Sequence, residues 1–242
     1  MSATAHKQKS RVLAVVGIVL ILAGLILAVA LLADHGANST LDPAGGEAQQ
    51  QEGDQEKSSS VVDTGNNNDS FPDVNWDKWL SVNPNIVGWV TVKNTPVNHP
   101  IVAASEDDPE KWLHTSVYGS WSAYGVPYLD ASCSEKGLLG NANNVVLGHH
   151  MNDGSVFSAF SSFMDSSYAA EHSPILLQTP SEKVTLAVSS VERVDASSAS
   201  FDPAVAVDGL DTCVTFVTCS YTVWANERTL VHCKILSIES TS

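Results

Sequence analysis

From Trp76 to the C-terminus, short β-branched and apolar runs alternate with clusters of Gly, Pro, Asn and Ser. Such runs, bounded by turn residues, predict strands at 86–92, 97–103, 126–129, 143–147, 175–178, 184–194, 212–218 and 229–238. Helical patterning is scarce. Trp76, Trp79, Leu80 and Val82 mark a short amphipathic helix, and Asp108-Pro109 opens a helical turn with Pro at a first-turn position. The segment 155–163 also reads as helical, with Ser155 or Asp153 as its cap. Many short strands with few helices predict an all-β barrel or sandwich, and no internal repeat is visible.

The N-terminal third has two different patterns. Residues 12–32 are uninterruptedly apolar, and a helix of about 20 residues crosses a bilayer core. Lys7, Lys9 and Arg11 precede the run, which places residues 1–11 in the cytoplasm, a transmembrane anchor at 12–33 and the rest outside the cell. A cleaved signal peptide, with Ala28-Val29-Ala30 as its small-residue site, is the competing reading; the run is longer than a signal core. Residues 34–75 are rich in Gly, Ser, Asn, Gln, Asp and Glu without apolar period, and predict a flexible acidic linker. A folded domain is expected over 76–242.

Charge excludes one class of partner. The 242 residues carry a formal net charge of -15, which speaks against nucleic-acid binding.

The candidate chemistry lies around the last two strands. Cys219 ends the run that begins at Val214, the turn residues Ala225, Asn226 and Glu227 follow, and Arg228 opens the next run. A hairpin of this kind brings a thiol and a guanidinium to one rim, where the cation favours the thiolate. The guanidinium fork also suits a carbonyl oxygen that is gaining charge. A strand-end cysteine is more often a small buried hydrophobe than a nucleophile, so a base is needed to strengthen the case. His149 and His150 supply candidates just past the strand that ends at Gly148. Neighbouring side chains on a strand point to opposite faces, so one histidine serves a site and the pair does not form a metal site.

These residues resemble the class B sortases, cysteine transpeptidases of the Gram-positive cell surface. The signature Thr-Leu-x-Thr-Cys of that family stands here as Thr215-Phe216-Val217-Thr218-Cys219, with Phe in place of Leu. The family arginine follows its cysteine by eight to ten residues, which fits Arg228, and its histidine directly follows a glycine, which selects His149. Asn83-Pro84-Asn85-Ile86-Val87-Gly88-Trp89, the stretch from Thr95 to Val102 and the stretch from Tyr118 to Asp130 resemble further class B motifs.

The resemblance implies a closed eight-stranded β-barrel with short helices. It also implies a Cys219 nucleophile, His149 as acid and base, Arg228 as oxyanion stabiliser, and no metal or organic cofactor. Asn98, Thr218 and Tyr221 are the candidate substrate-binding residues. The implied substrates are secreted proteins with a C-terminal sorting signal, and the implied acceptor is an amine of a peptidoglycan precursor or a pilin lysine. A thiol peptidase that hydrolyses without transfer, and a non-catalytic surface binding domain, are the alternatives. One departure stands out: the connection 195–211 is short for class B, where a helix-bearing insert is usual, so the sorting motif does not follow from class.

Cys133, Cys213 and Cys233 complete the thiol count. If Cys219 and Arg228 share a face, strand parity turns Cys233 away from Cys213, and free thiols are expected.

Overall fold

The computed structural model describes residues 70–197, 199, 201–220 and 226–241, with backbone alone at Cys219 and Ser220. The expected anchor, the linker up to residue 69 and Tyr221 lie outside the described residues.

Eight strands close into a barrel in the order β1-β2-β3-β4-β7-β8-β6-β5. They are β1 Ile86–Val92, β2 Asn98–Ala103, β3 Tyr128–Leu129, β4 Asn143–Gly148, β5 Ile175–Gln178, β6 Glu182–Asp195, β7 Cys213–Ser220 and β8 Glu227–Ser240. Each coincides with one of the eight runs read from the sequence. β3 is the shortest, because Pro127 has no N–H to extend its ladder. β6 and β8 run to 14 residues each, beyond the expected bounds, through ends that are largely exposed and carry little apolar signal.

Register sets which face is inside. Val146, Phe216 and Val231 lie in one row across β4, β7 and β8, and with Val90, Ile101 and Leu129 they belong to the main core. Phe157, Phe160 and Phe163 pack into the same core, with Phe160 stacked on Phe216 at 4.8 Å. A second core lies on the outer face of β1 to β3, where helix α1 (Trp76–Val82) and Trp112 cover Trp89, Val102 and Tyr128. Strand β1 is therefore buried on both faces, which explains an apolar run broken only by Thr91. Helix α1 begins at Asn75, whose side chain accepts from the Lys78 N–H, and Pro84 blocks its continuation.

The helices differ from expectation in detail. Asp153 accepts from the backbone and hydroxyl of Ser155, which closes a local turn, and Val156 takes a positive φ of 54°. Helical structure therefore starts only at a 3-10 segment, Ser158–Met164, with no side-chain cap. Two helices had no apolar periodicity to announce them. Helix α2 (Ala131–Ser134) is capped by Asp130, and α3 (Ser166–Glu171) by Asp165, which accepts from Ser167 and Tyr168. The Asp108–Pro109 turn leads into a 3-10 turn at Lys111–Leu113.

Both ends of the domain meet at one pole of the barrel. Gln178 donates to the Pro72 carbonyl at 3.0 Å, and the Thr241 N–H donates to the Ser181 carbonyl at 2.8 Å. The opposite pole holds the ends of β4 and β7 and the start of β8.

Candidate active site

Three adjacent strands bring the candidate residues together. β4 and β7 are parallel, and their last register pair is Gly148 with Thr218. His149 and Cys219 follow at once on these neighbouring strands. On the other side of β7, antiparallel β8 pairs Arg228 with Cys219. The backbone of Cys219 thus lies between the strands that carry His149 and Arg228.

Gly148 is what lets β4 end in this way. A Cβ added there would stand 2.5 Å from the Phe157 ring, closer than packed carbons approach. The Phe157 N–H donates to the His149 carbonyl at 2.9 Å, so the same aromatic residue anchors the backbone that presents His149.

The His149 ring is held from the other side. Its Nε2 lies 2.8 Å from the Leu113 carbonyl oxygen, an atom that can only accept. Nε2 therefore carries a hydrogen, and Nδ1 is the nitrogen left for exchange. Burial pushes the His149 pKa below its ordinary value; the Leu113 hydrogen bond acts against this, and the positive charges of His114 and Arg228 act with it. Arg228 is half-buried, and its Nη1 donates to the Glu227 carbonyl at 3.2 Å. His150 is not part of this arrangement; it forms an isolated bridge with Val156.

The substrate candidates are placed as follows. Asn98 opens β2 at the same pole, three strands round from β7. Its carboxamide oxygen accepts from Trp89 Nε1 at 2.7 Å and from Thr91 at 3.3 Å. Indole N–H only donates, so this end is oxygen and the nitrogen is the end available to a ligand. Thr218 is 1% exposed, and its hydroxyl has no hydrogen-bond partner among the described residues.

Cys133, Cys213 and Cys233 are free and buried. Cys213 pairs with Lys234 and Cys233 with Val214, the parity that keeps the two thiols on opposite faces. Burial raises the pKa of all three, and a thiol that resists ionisation is a poor nucleophile.

Sequence reading missed Leu113 and His114. A backbone carbonyl has no residue signature, but His114 follows the Asp108–Pro109 turn in plain view. Its ring lies 5.8 Å from that of His149.

A closed eight-stranded barrel with cysteine, histidine and arginine at the ends of three adjacent strands defines a class by its fold and residue set: a β-barrel with a candidate cysteine site at one pole. A model of the sortase domain matches residues 91–236. Sortase B of Listeria monocytogenes is 26% identical over 91 residues, 38% of this chain and 35% of the relative. Sortase B of Staphylococcus aureus is 25% identical over 112 residues, 46% of this chain and 44% of the relative. The chain thus spans less than half the length of these two curated relatives. The solved Staphylococcus aureus sortase B–substrate complex has a TM-score of 0.57 at 19% identity, covering 69% of this chain and 85% of that one, a likeness of fold. This chain belongs to the sortase family, and its likeness is to class B.

Proposed function

We propose that the protein is a membrane-anchored cysteine transpeptidase. It cleaves a C-terminal sorting signal of secreted proteins and joins the shortened protein to an amine of the cell wall, or to a pilin lysine. The observation that carries this reading is the double register of β7, which sets Cys219 opposite Arg228 and beside the strand that ends in His149.

The Cys219 thiolate attacks the carbonyl carbon of the scissile amide, and Arg228 stabilises the oxyanion that forms. His149, as the cation, gives its Nδ1 proton to the leaving amine as the C–N bond breaks. A thioester remains. The incoming amine attacks it and loses its proton to the now neutral Nδ1, and the thiolate departs. Asn98, Thr218 and Tyr221 are proposed to contact the peptide, with the Asn98 amide nitrogen as the donor to a substrate carbonyl. The anchor at 12–33 would hold the enzyme at the outer face of the membrane, with its N-terminus inside. That the named Staphylococcus aureus relative was solved as a substrate complex supports a peptide substrate.

Transfer is separated from hydrolysis by the product. With a cleavable peptide and a rising concentration of a short glycine peptide, the product is expected to carry the added amine, and turnover is expected to rise. A product that stays a free carboxylic acid at every amine concentration would make the protein a hydrolase.

A further inference from the structure

Leu113, which holds His149 through its carbonyl, is followed in the chain by a second imidazole. His114 sits at the end of the 3-10 turn Lys111–Leu113, where its N–H donates to the Lys111 carbonyl and its own carbonyl accepts from Ser122. These backbone bonds fix its place beside His149. The two rings lie 5.8 Å apart at an angle of 37°. His114 is exposed, while His149 is half-buried. Nothing in thiol acyl transfer by Cys219, His149 and Arg228 requires a second histidine.

We propose that His114 is a positioning residue of the active site that sets the charge on His149 across the gap between their rings. The inference rests on the reading of His149 as the acid and base. At this separation a positive charge on His114 opposes a proton on His149. Among the described residues, the other charged group that acts on His149 is Arg228 from β8. Asp153, in the turn after His150, is engaged by the Tyr124 hydroxyl at 3.0 Å. A cationic His114 resists a proton on His149, as Arg228 does. The acid limb of the reaction is thereby held at lower pH, and the fraction of enzyme with a thiolate and an imidazolium together is reduced.

The test is a titration of His149 in the full chain in detergent, with labelled histidine followed by NMR, for the unaltered protein and for His114→Gln and His114→Lys. Removing the charge is expected to move the His149 midpoint up by roughly half a pH unit. A permanent charge is expected to hold it at or below that of the unaltered protein. Unit charges about 6 Å apart in a water-like medium interact with that strength. The difference between the variants is expected to shrink at high salt, and the acid limb of Cys219 alkylation by iodoacetamide is expected to follow it. A midpoint that is the same in both variants, or a difference that ignores salt, would overturn the proposal. The titration needs no substrate. A chain that shows the shift but forms no thioester would therefore fail as a transpeptidase while keeping the His114–His149 coupling.

Discussion

His149 gives its Nε2 hydrogen to the carbonyl oxygen of Leu113 at 2.8 Å. The partner is a neutral peptide group rather than a carboxylate, so the bond orients the ring and fixes its tautomer without strongly favouring the cation. Burial and the nearby positive charges then hold the imidazole towards its neutral form. His149→Gln is expected to lower kcat/KM for thioester formation by about 100- to 10,000-fold, the usual contribution of a positioned acid or base. His150→Gln is expected to cost far less, within about tenfold, since the next side chain along the chain turns to the opposite face. Steady-state kinetics on both variants check this, and equal losses would contradict the assignment.

Arg228 lies opposite Cys219 on β8 and is proposed to steady the oxyanion. Lysine keeps the charge but loses the planar fork of donors. Arg228→Lys is expected to reduce kcat by about 100- to 1,000-fold, the size of a lost oxyanion donor, with a smaller change in KM. Thermal melting is expected to change little, because the side chain is half-buried at a strand end.

His99 gives the fold a pH dependence separate from catalysis. It lies on β2 opposite Val90 and is 8% exposed, and its Nε2 has no hydrogen-bond partner among the described residues. Burial lowers its pKa from 6.5 to about 4. The folded state thus keeps it neutral while the unfolded chain takes up a proton. Its contribution is fully present above pH 6.5 and is lost as pH falls from there to about 4. A drop of about 3 kcal/mol follows from ~1.4 kcal/mol per pKa unit. Urea unfolding at pH 7 and pH 4.5 is expected to show the loss, and His99→Phe is expected to remove most of this slope.

Thr218 adjoins Cys219 and keeps a buried hydroxyl without a partner among the described residues. An unsatisfied buried hydroxyl costs on the order of 1–3 kcal/mol. Thr218→Val replaces it with a methyl of similar shape and is expected to raise the melting temperature. If the hydroxyl serves the bound peptide, the same variant raises KM. A higher melting temperature with unaltered kinetics would remove Thr218 from the substrate-binding residues.

The strands were legible in the sequence because each is a run of β-branched and apolar residues between turn residues. Closure into a barrel came with the resemblance, and the order of the strands only with the structure, since the parallel pairing of β4 with β7 spans β5 and β6. Short helices escaped because α3 rests on one cap, Asp165, and buries no residue of its own. In the site, Cys219 and Arg228 could be paired from parity along a hairpin, and that parity also kept Cys213 and Cys233 apart. The grip of Leu113 on His149 was not legible, because any residue offers the same carbonyl. His114 was visible as a histidine, but only folding brings it to His149 across the 34 residues between them in sequence.

The thioester is the central claim, and intact-mass spectrometry reads it directly. The full chain in detergent is mixed with a pool of Leu-Pro-x-Thr-Gly and Asn-Pro-x-Thr-x peptides. The account predicts a new mass equal to the protein plus a truncated peptide, absent from Cys219→Ala, and the added mass names the motif. No adduct from any peptide, together with a Cys219 that resists alkylation, would contradict it and leave a binding domain on a sortase barrel.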